Sequence, residues 1–127
     1  MTAEADRLGS EKYVVLTTFR RNGNSVATPI WLAQSGDELV MWTERNSGKV
    51  KRIRATGKVT VQACDARGRK THGAVVNGVG RVADDAQTDQ IRELIKKKYG
   101  VIGRLALLGS SLRGGKERTV GVLVKLD

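Results

Sequence analysis

The chain has one cysteine, one proline, one histidine and five aromatic residues among 127, and each shortage removes a class of explanation. A lone cysteine, Cys64, forbids an intrachain disulfide. That suits a reducing compartment, so the expected location is the cytoplasm. One cysteine and one histidine, His72, fall short of the ligand sets that hold structural zinc. Cys64 reads as a small buried hydrophobe rather than a nucleophile, because His72 is its one available imidazole base and nothing in the sequence pairs the two. His72, in the polar run "GRKTHG", reads as an exposed loop histidine. Long apolar runs are missing as well. The longest, "VIGRLALLG", is too short to span a bilayer and is interrupted by Arg104. The opening "MTAEADRLGSEKY" offers no signal-peptide core. Neither a Walker A run nor a GxGxxG after a strand is present, and the carboxylates are scattered without an acid/base pairing.

Positive charge is what the chain has in excess. Lys and Arg number 23 against 13 Asp and Glu, a net charge of +10. The excess is concentrated: Thr43 to Lys70 holds nine basic residues and two acidic ones, nine minus two giving +7. A second basic patch, "RGGKER", spans Arg113 to Arg118. Such a surface attracts polyanions. For any single lysine a solvated face is the better explanation, but clustering in one segment points to a site. Nucleic acid is the commonest polyanion, yet single-strand binders interleave aromatics with their basic residues. No aromatic lies between Lys49 and Lys70, which argues against that partner.

The periodicity predicts a meander. "YVVLTTF" reads as a strand, Asn22-Gly23 as a type I′ turn, and Ser25 to Ala33 as the partner strand, with Pro29 requiring an edge or a bulge. A Gly36-Asp37 turn sets paired positions to sum to 73, which places Trp31 opposite Trp42. Glu38 to Glu44 is the third strand. "NSGKVKRIRAT" reads as a short helix capped by Asn46 or Ser47, with Val50 and Ile53 turned to the core. Fourth and fifth strands follow in "GKVTVQACDA" and "AVVNGVGRVAD". "DDAQTDQIRELIKKKYG" is a capped helix with a stripe of Ile91, Leu94, Ile95 and Tyr99; "IGRLALLGSSLR" reads as a second helix and "TVGVLVKL" as a last strand. No βαβ rhythm appears. Six antiparallel strands in one domain over residues 1–127 are expected to curl into a small barrel, with residues 1–11 a flexible segment. Ser47 and Gly48 at a helix start, followed by Lys49, make a seat for a phosphate, where free amides and the positive helix end face the anion.

The run from Tyr13 to Gly68, "YVVLTTFRRNGNSVATPIWLAQSGDELVMWTERNSGKVKRIRATGKVTVQACDARG", resembles the flavin-reductase-related split β-barrels of the pyridoxamine-phosphate-oxidase-like superfamily. It is most similar to the branch of small oxidoreductases that use the deazaflavin coenzyme F420. The likeness lies in the order "LTTFRRNG", "ATPIWL", "WTE…SGKVKRI" and a following strand, and it extends over most of the chain. It implies a mostly β, six-stranded antiparallel split barrel with short helices, and a homodimer with cofactor sites at the interface. It implies that Ser47, Lys49 and Lys51 hold the cofactor phosphate with Arg52 and Arg54 as neighbours, that Thr43 lies near the phosphate or ribityl chain, and that Thr28, Pro29 and Trp31 lie against the ring. No residue is assigned to catalysis. Gly48 stands where the flavin-mononucleotide oxidases usually carry arginine, and their "RVVLLK" type of second strand is missing, so F420 is expected over FMN. The activity implied is an F420-dependent reductase passing hydride to an unsaturated conjugated small molecule. The alternatives are an FMN-binding relative on the same fold, a coenzyme carrier without turnover, and a basic nucleic-acid-binding barrel. The polyglutamate tail of F420 is expected at Arg67, Arg69 and Lys70 or at the Arg113 to Arg118 patch.

Overall fold

Runs of β-branched residues build one antiparallel sheet: β1 (Val14–Phe19), β2 (Ser25–Ile30), β3 (Leu32–Ser35), β4 (Glu38–Glu44), β5 (Lys58–Cys64), β6 (Thr71–Val82) and β7 (Thr119–Leu126). The computed structural model of the protein describes residues 3–114 and 118–127, with side chains described through residue 100 and from residue 118 onward. The strands lie in the order β2-β1-β5-β6-β7-β4-β3. There are seven strands rather than six because the expected second strand divides at Trp31. Its first half pairs with β1 and its second with β4, and those strands sit toward opposite margins of the sheet. The chain must turn a corner between them, and this wraps the sheet into a barrel. Pro29, which has no N–H to give a ladder, lies in the marginal strand β2.

Register follows the expected sum of 73 from Leu32↔Met41 through Ser35↔Glu38. Trp31 lies one step beyond that ladder and stacks instead on Tyr99, ring centroids 4.3 Å apart and 6° from parallel. Gly36 has φ 62 with no positive φ at Asp37, the geometry of a type II′ turn. The β1–β2 turn departs from expectation. Gly23 has φ 92 while Asn22 keeps a negative φ, and the Gly23 amide donates to the Arg20 carbonyl at 2.9 Å. This is a three-residue loop, a type I turn followed by a left-handed glycine, so the two-residue I′ turn is not formed.

The barrel interior packs Val14, Leu16, Leu32, Leu39, Met41, Val59, Val61, Val122 and Val124. Alternation along β5 buries Val59, Val61 and Ala63, with Cys64 also buried. β7 is buried on both faces up to Val124, because a second cluster of Ala33, Val40, Ile91, Ile95 and Leu123 covers its other side. That cover is α3 (Asp85–Gly114), which carries the expected stripe and breaks helical geometry at Gly100 (φ 60, ψ −132). Helical backbone continues to Gly114, while the side chains of the expected second helix and of Arg113 to Glu117 lie outside the described residues. β6 starts at Thr71, so His72 lies on a strand rather than in a loop.

The N-terminal segment is not a loose tail. Ala3–Gly9 forms helix α1, with Ala5 and Leu8 buried in the barrel core. Two apolar residues three apart are too weak a periodic signal to predict it. Lys98 fastens this helix in place. Its ammonium donates to the carbonyls of Gly9 (2.8 Å), Glu11 and Leu32 (2.9 Å). Next to it, the Tyr99 hydroxyl donates to the Lys12 carbonyl at 2.6 Å and accepts from the Leu32 amide at 3.0 Å. Burial pushes Lys98 down to about 8, partly offset by the Glu11 charge. Burial pushes Tyr99 up to about 12, against the opposing pull of the Leu32 backbone.

Candidate functional site

Helix α2 (Gly48–Thr56) closes one end of the barrel, with Val50 and Ile53 buried beneath it. Ser47 caps it: the hydroxyl accepts from the Val50 amide at 3.4 Å. Gly57 at φ 72 ends it, and its amide returns to the Ile53 carbonyl. Geometry leaves the Gly48 and Lys49 amides without an acceptor inside the helix. A helix start normally favours acidic side chains. This one has none in its first turn and carries Lys49 and Lys51 there instead, with Arg52 next.

Arg52 is held in place. Its Nε donates at 2.6 Å to Oγ1 of Thr18, which is fully buried on the inner face of β1. Its guanidinium lies back over Gly48, where an added Cβ would come within 2.6 Å of Nη1. The glycine therefore keeps a space that the Arg52 head group fills. This bears on Gly48 as a mark of cofactor choice. A guanidinium is present over position 48 after all, supplied from one turn later, so the glycine alone does not separate FMN from F420. Lys49 is half-buried. Burial, then the neighbouring Arg52 charge, lower its pKa, and Glu44 partly restores it. Among the described residues, no carboxylate forms an ion pair with Lys49, Lys51, Arg52 or Arg54. Glu44, the nearest acidic residue in sequence, pairs with Arg118 at 2.8 Å.

The structure gathers some of the predicted residues and disperses others. Ser47, Lys49 and Arg52 converge on the helix start; Lys51 is exposed one turn along. Arg54 stands in the last turn of α2, where its charge serves the helix carbonyls, so it is apart from the seat. Thr43 is half-buried on the face of β4 that carries Leu39 and Met41, opposite Val120. Thr28 and Pro29 point to opposite sides of β2. Thr28 faces the barrel opposite Leu16, its hydroxyl buried without a partner. Pro29 is exposed and leans toward Gly68. One face of Trp31 is occupied by Tyr99. The expected tail cradle of Arg67, Arg69 and Lys70 lies in the β5–β6 turn, organised around the Asp65 carboxylate. That turn is at the far end of β5 from α2 in the same chain. Arg118, the described end of the other expected cradle, has its charge taken by Glu44.

Among the described residues, conventional catalytic groups do not assemble. The Cys64 thiol is pushed up by burial and by nearby Asp65 and Glu11. His72 pairs with Glu11 at 2.8 Å rather than with Cys64. Among the described residues there is no metal-holding cluster of His, Cys, Asp and Glu, and no helix long and apolar enough to cross a membrane.

One antiparallel sheet that turns a corner between β2 and β3, with a helix across its end, agrees with the split-barrel fold of the proteins it resembles. The chain matches the pyridoxamine 5'-phosphate oxidase family over residues 1–121 and belongs to it. No curated protein sequence matches. Among solved structures, an F420 reductase is similar at 19% identity and TM-score 0.63, over 96% of this chain and 92% of the other. An FAD-binding protein from Mesorhizobium loti is similar at 17% identity and TM-score 0.66, over 100% and 88%. A heme storage protein from Vibrio cholerae gives TM-score 0.72 at 10% identity, over 98% and 88%.

Proposed function

We propose that the protein is an F420-dependent oxidoreductase acting on an unsaturated, conjugated small molecule. The observation that carries this reading is the group of cations at the start of α2, packed together at a cost in mutual repulsion and without carboxylate partners. An anion from outside relieves that cost, and a cofactor phosphate has the charge and the acceptor oxygens to do so. Ser47, the Gly48 and Lys49 amides, the Lys49 ammonium and the Arg52 guanidinium would hold it. Thr43 would lie near the polar chain that joins phosphate to ring. When bound, the deazaflavin supplies the hydride. The residues of the chain bind it, orient it and keep water away. Similarity to an F420 reductase supports the reading. Titration of F420 into the protein is expected to saturate at micromolar affinity, and steady oxidation of the reduced coenzyme by a quinone or another conjugated enone is expected to follow. No saturation below roughly millimolar would sink the assignment.

A second reading is an FMN protein, favoured by the Arg52 guanidinium over Gly48 and by the similarity to an FAD-binding protein. It predicts a yellow protein as purified.

We also propose a homodimer. Val75 and Val79 on the outer face of β6 are 55% and 58% exposed, and half-buried Val15 and Phe19 share that face across β5. Lys58, Thr60 and Gln62 of β5 lie between them, and exposed valines set among such polar side chains suit cover by a second copy. Equilibrium sedimentation is expected to give twice the chain mass at micromolar concentration; the single-chain mass there would remove the proposal.

A further inference from the structure

We propose a second anion subsite, separate from the helix start: the open groove between the β1–β2 turn and α2. The groove is shallow and open to solvent, with about 440 Å³ of space bordered by Arg20, Arg21, Asn22, Lys51, Arg52 and Ala55, mainly through their carbon stems, with the charged heads at its rim. Four of those six residues are cationic and none is acidic. The three-residue β1–β2 turn is what brings Arg20 and Arg21 there. Its Gly23 and the Arg20–Asn24 backbone bond at 2.8 Å fix the turn, and Thr56 ties it to α2 by donating to the Phe19 carbonyl at 3.3 Å. Arg52 belongs to both sites. Its Nε is anchored on Thr18 while its head group lies over Gly48.

Lys51 follows Ser47 by roughly one helical turn, which sets the two sites about 5–8 Å apart along the helix axis, with the Arg52 guanidinium reaching back between them. A single phosphate fills the first site and leaves the second empty. The groove therefore selects a ligand with at least two anionic groups separated by about that distance, either a chain of carboxylates or a chain of phosphates. This rests on the phosphate seat proposed above. It adds that the ligand is an oligoanion and that Arg20 and Arg21 discriminate it from a monophosphate. It also moves the cradle for any anionic tail away from Arg67, Arg69 and Lys70.

The test compares three probes, namely inorganic phosphate, tripolyphosphate and a triglutamate peptide, by calorimetry at fixed low salt. Arg20→Ala/Arg21→Ala is compared with Arg67→Ala/Arg69→Ala, which removes the same charge elsewhere. All four arginines are on turns or their flanks. Tripolyphosphate, the peptide or both are expected to weaken about tenfold or more in the Arg20/Arg21 variant. Inorganic phosphate is expected to change less than about twofold there, and the Arg67/Arg69 variant is expected to bind like wild type. The probe that responds identifies a phosphate or a carboxylate chain as the ligand's anionic part. Equal losses in the two variants would reduce the groove to general charge attraction and overturn the proposal. So would loss of inorganic phosphate equal to that of the oligoanions, or no loss of either oligoanion. Oligoanion binding of the expected pattern by a protein that fails to bind F420 would keep the subsite and discard the coenzyme. Coenzyme binding insensitive to Arg20 and Arg21 would do the reverse.

Discussion

Lys98→Met is expected to lower the free energy of unfolding by about 3 kcal/mol. Methionine keeps most of the length of the stem but leaves the carbonyls of Gly9, Glu11 and Leu32 without the donor they share. Each buried or half-buried acceptor left unmet costs about 1–3 kcal/mol, and water reaching the site through its exposed half recovers part of that. Three elements meet there: the end of α1, the start of β3 and α3. The pH dependence carries a second signature. Lys98 sits at about 8 in the fold and near 10.4 when unfolded, so between those values the unfolded chain binds more protons and stability rises with pH. Tyr99, at about 12 in the fold and near 10 unfolded, works in the opposite sense. The folded chain then holds the extra proton, and stability falls from about pH 10 toward 12. Wild-type stability by urea unfolding is expected to climb above pH 8 and turn over near 10. In Lys98→Met the climb should shrink and the fall should remain. A loss below about 1 kcal/mol would show that the Lys98 side chain is not what joins these elements, and an unchanged climb would show that its titration is not the source of the pH dependence.

Lys49→Glu is expected to move binding and stability in opposite directions. At the start of α2 a carboxylate suits the helix end and relieves the repulsion from Arg52, so the protein should gain about 0.3–1 kcal/mol. The same change puts a negative charge where the cofactor phosphate is proposed to lie. Affinity should drop about a hundredfold, equivalent to about 2.7 kcal/mol. A lysine that only keeps the surface soluble would show the gain in stability without the loss in affinity. Thermal melts and F420 titrations on one preparation decide between them, and unchanged affinity would sink the phosphate seat.

The parts of the fold legible in the sequence were those set by neighbours along the chain. The sum-73 register needs only a turn and alternation on either side of it, and the Ser47 cap with Val50 and Ile53 needs only helical spacing. What distant segments decide is not legible in the local sequence. Trp31 breaks a strand because β2 and β3 pair with different partners, and nothing between Ser25 and Ala33 announces that. α1 forms because Ala5 and Leu8 find the barrel core and Lys98 caps the helix from far along the chain. At the site, the cluster of cations was plain in the sequence, and its sorting was not. Arg54 is turned to the other helix end, Arg67 and Arg69 lie at the far end of β5, and Arg20, Arg21 and Thr18 arrive through a hairpin docked on α2. A basic pair beside a turn carries no local mark of the groove it will line.

The position of β7 governs how the chain reaches this state. It is the bridge between two groups of strands, β2-β1-β5-β6 on one side and β4-β3 on the other, and each group pairs within itself through nearer segments. The bridge matches Lys125 to both Glu38 and Val79, contacts of wide separation along the chain, whose loop-closure entropy must be met before they stabilise anything. The arrival of Thr119–Leu126 is thus expected to set the refolding speed, and changes within that strand are expected to alter the rate of closing the cylinder as much as its depth.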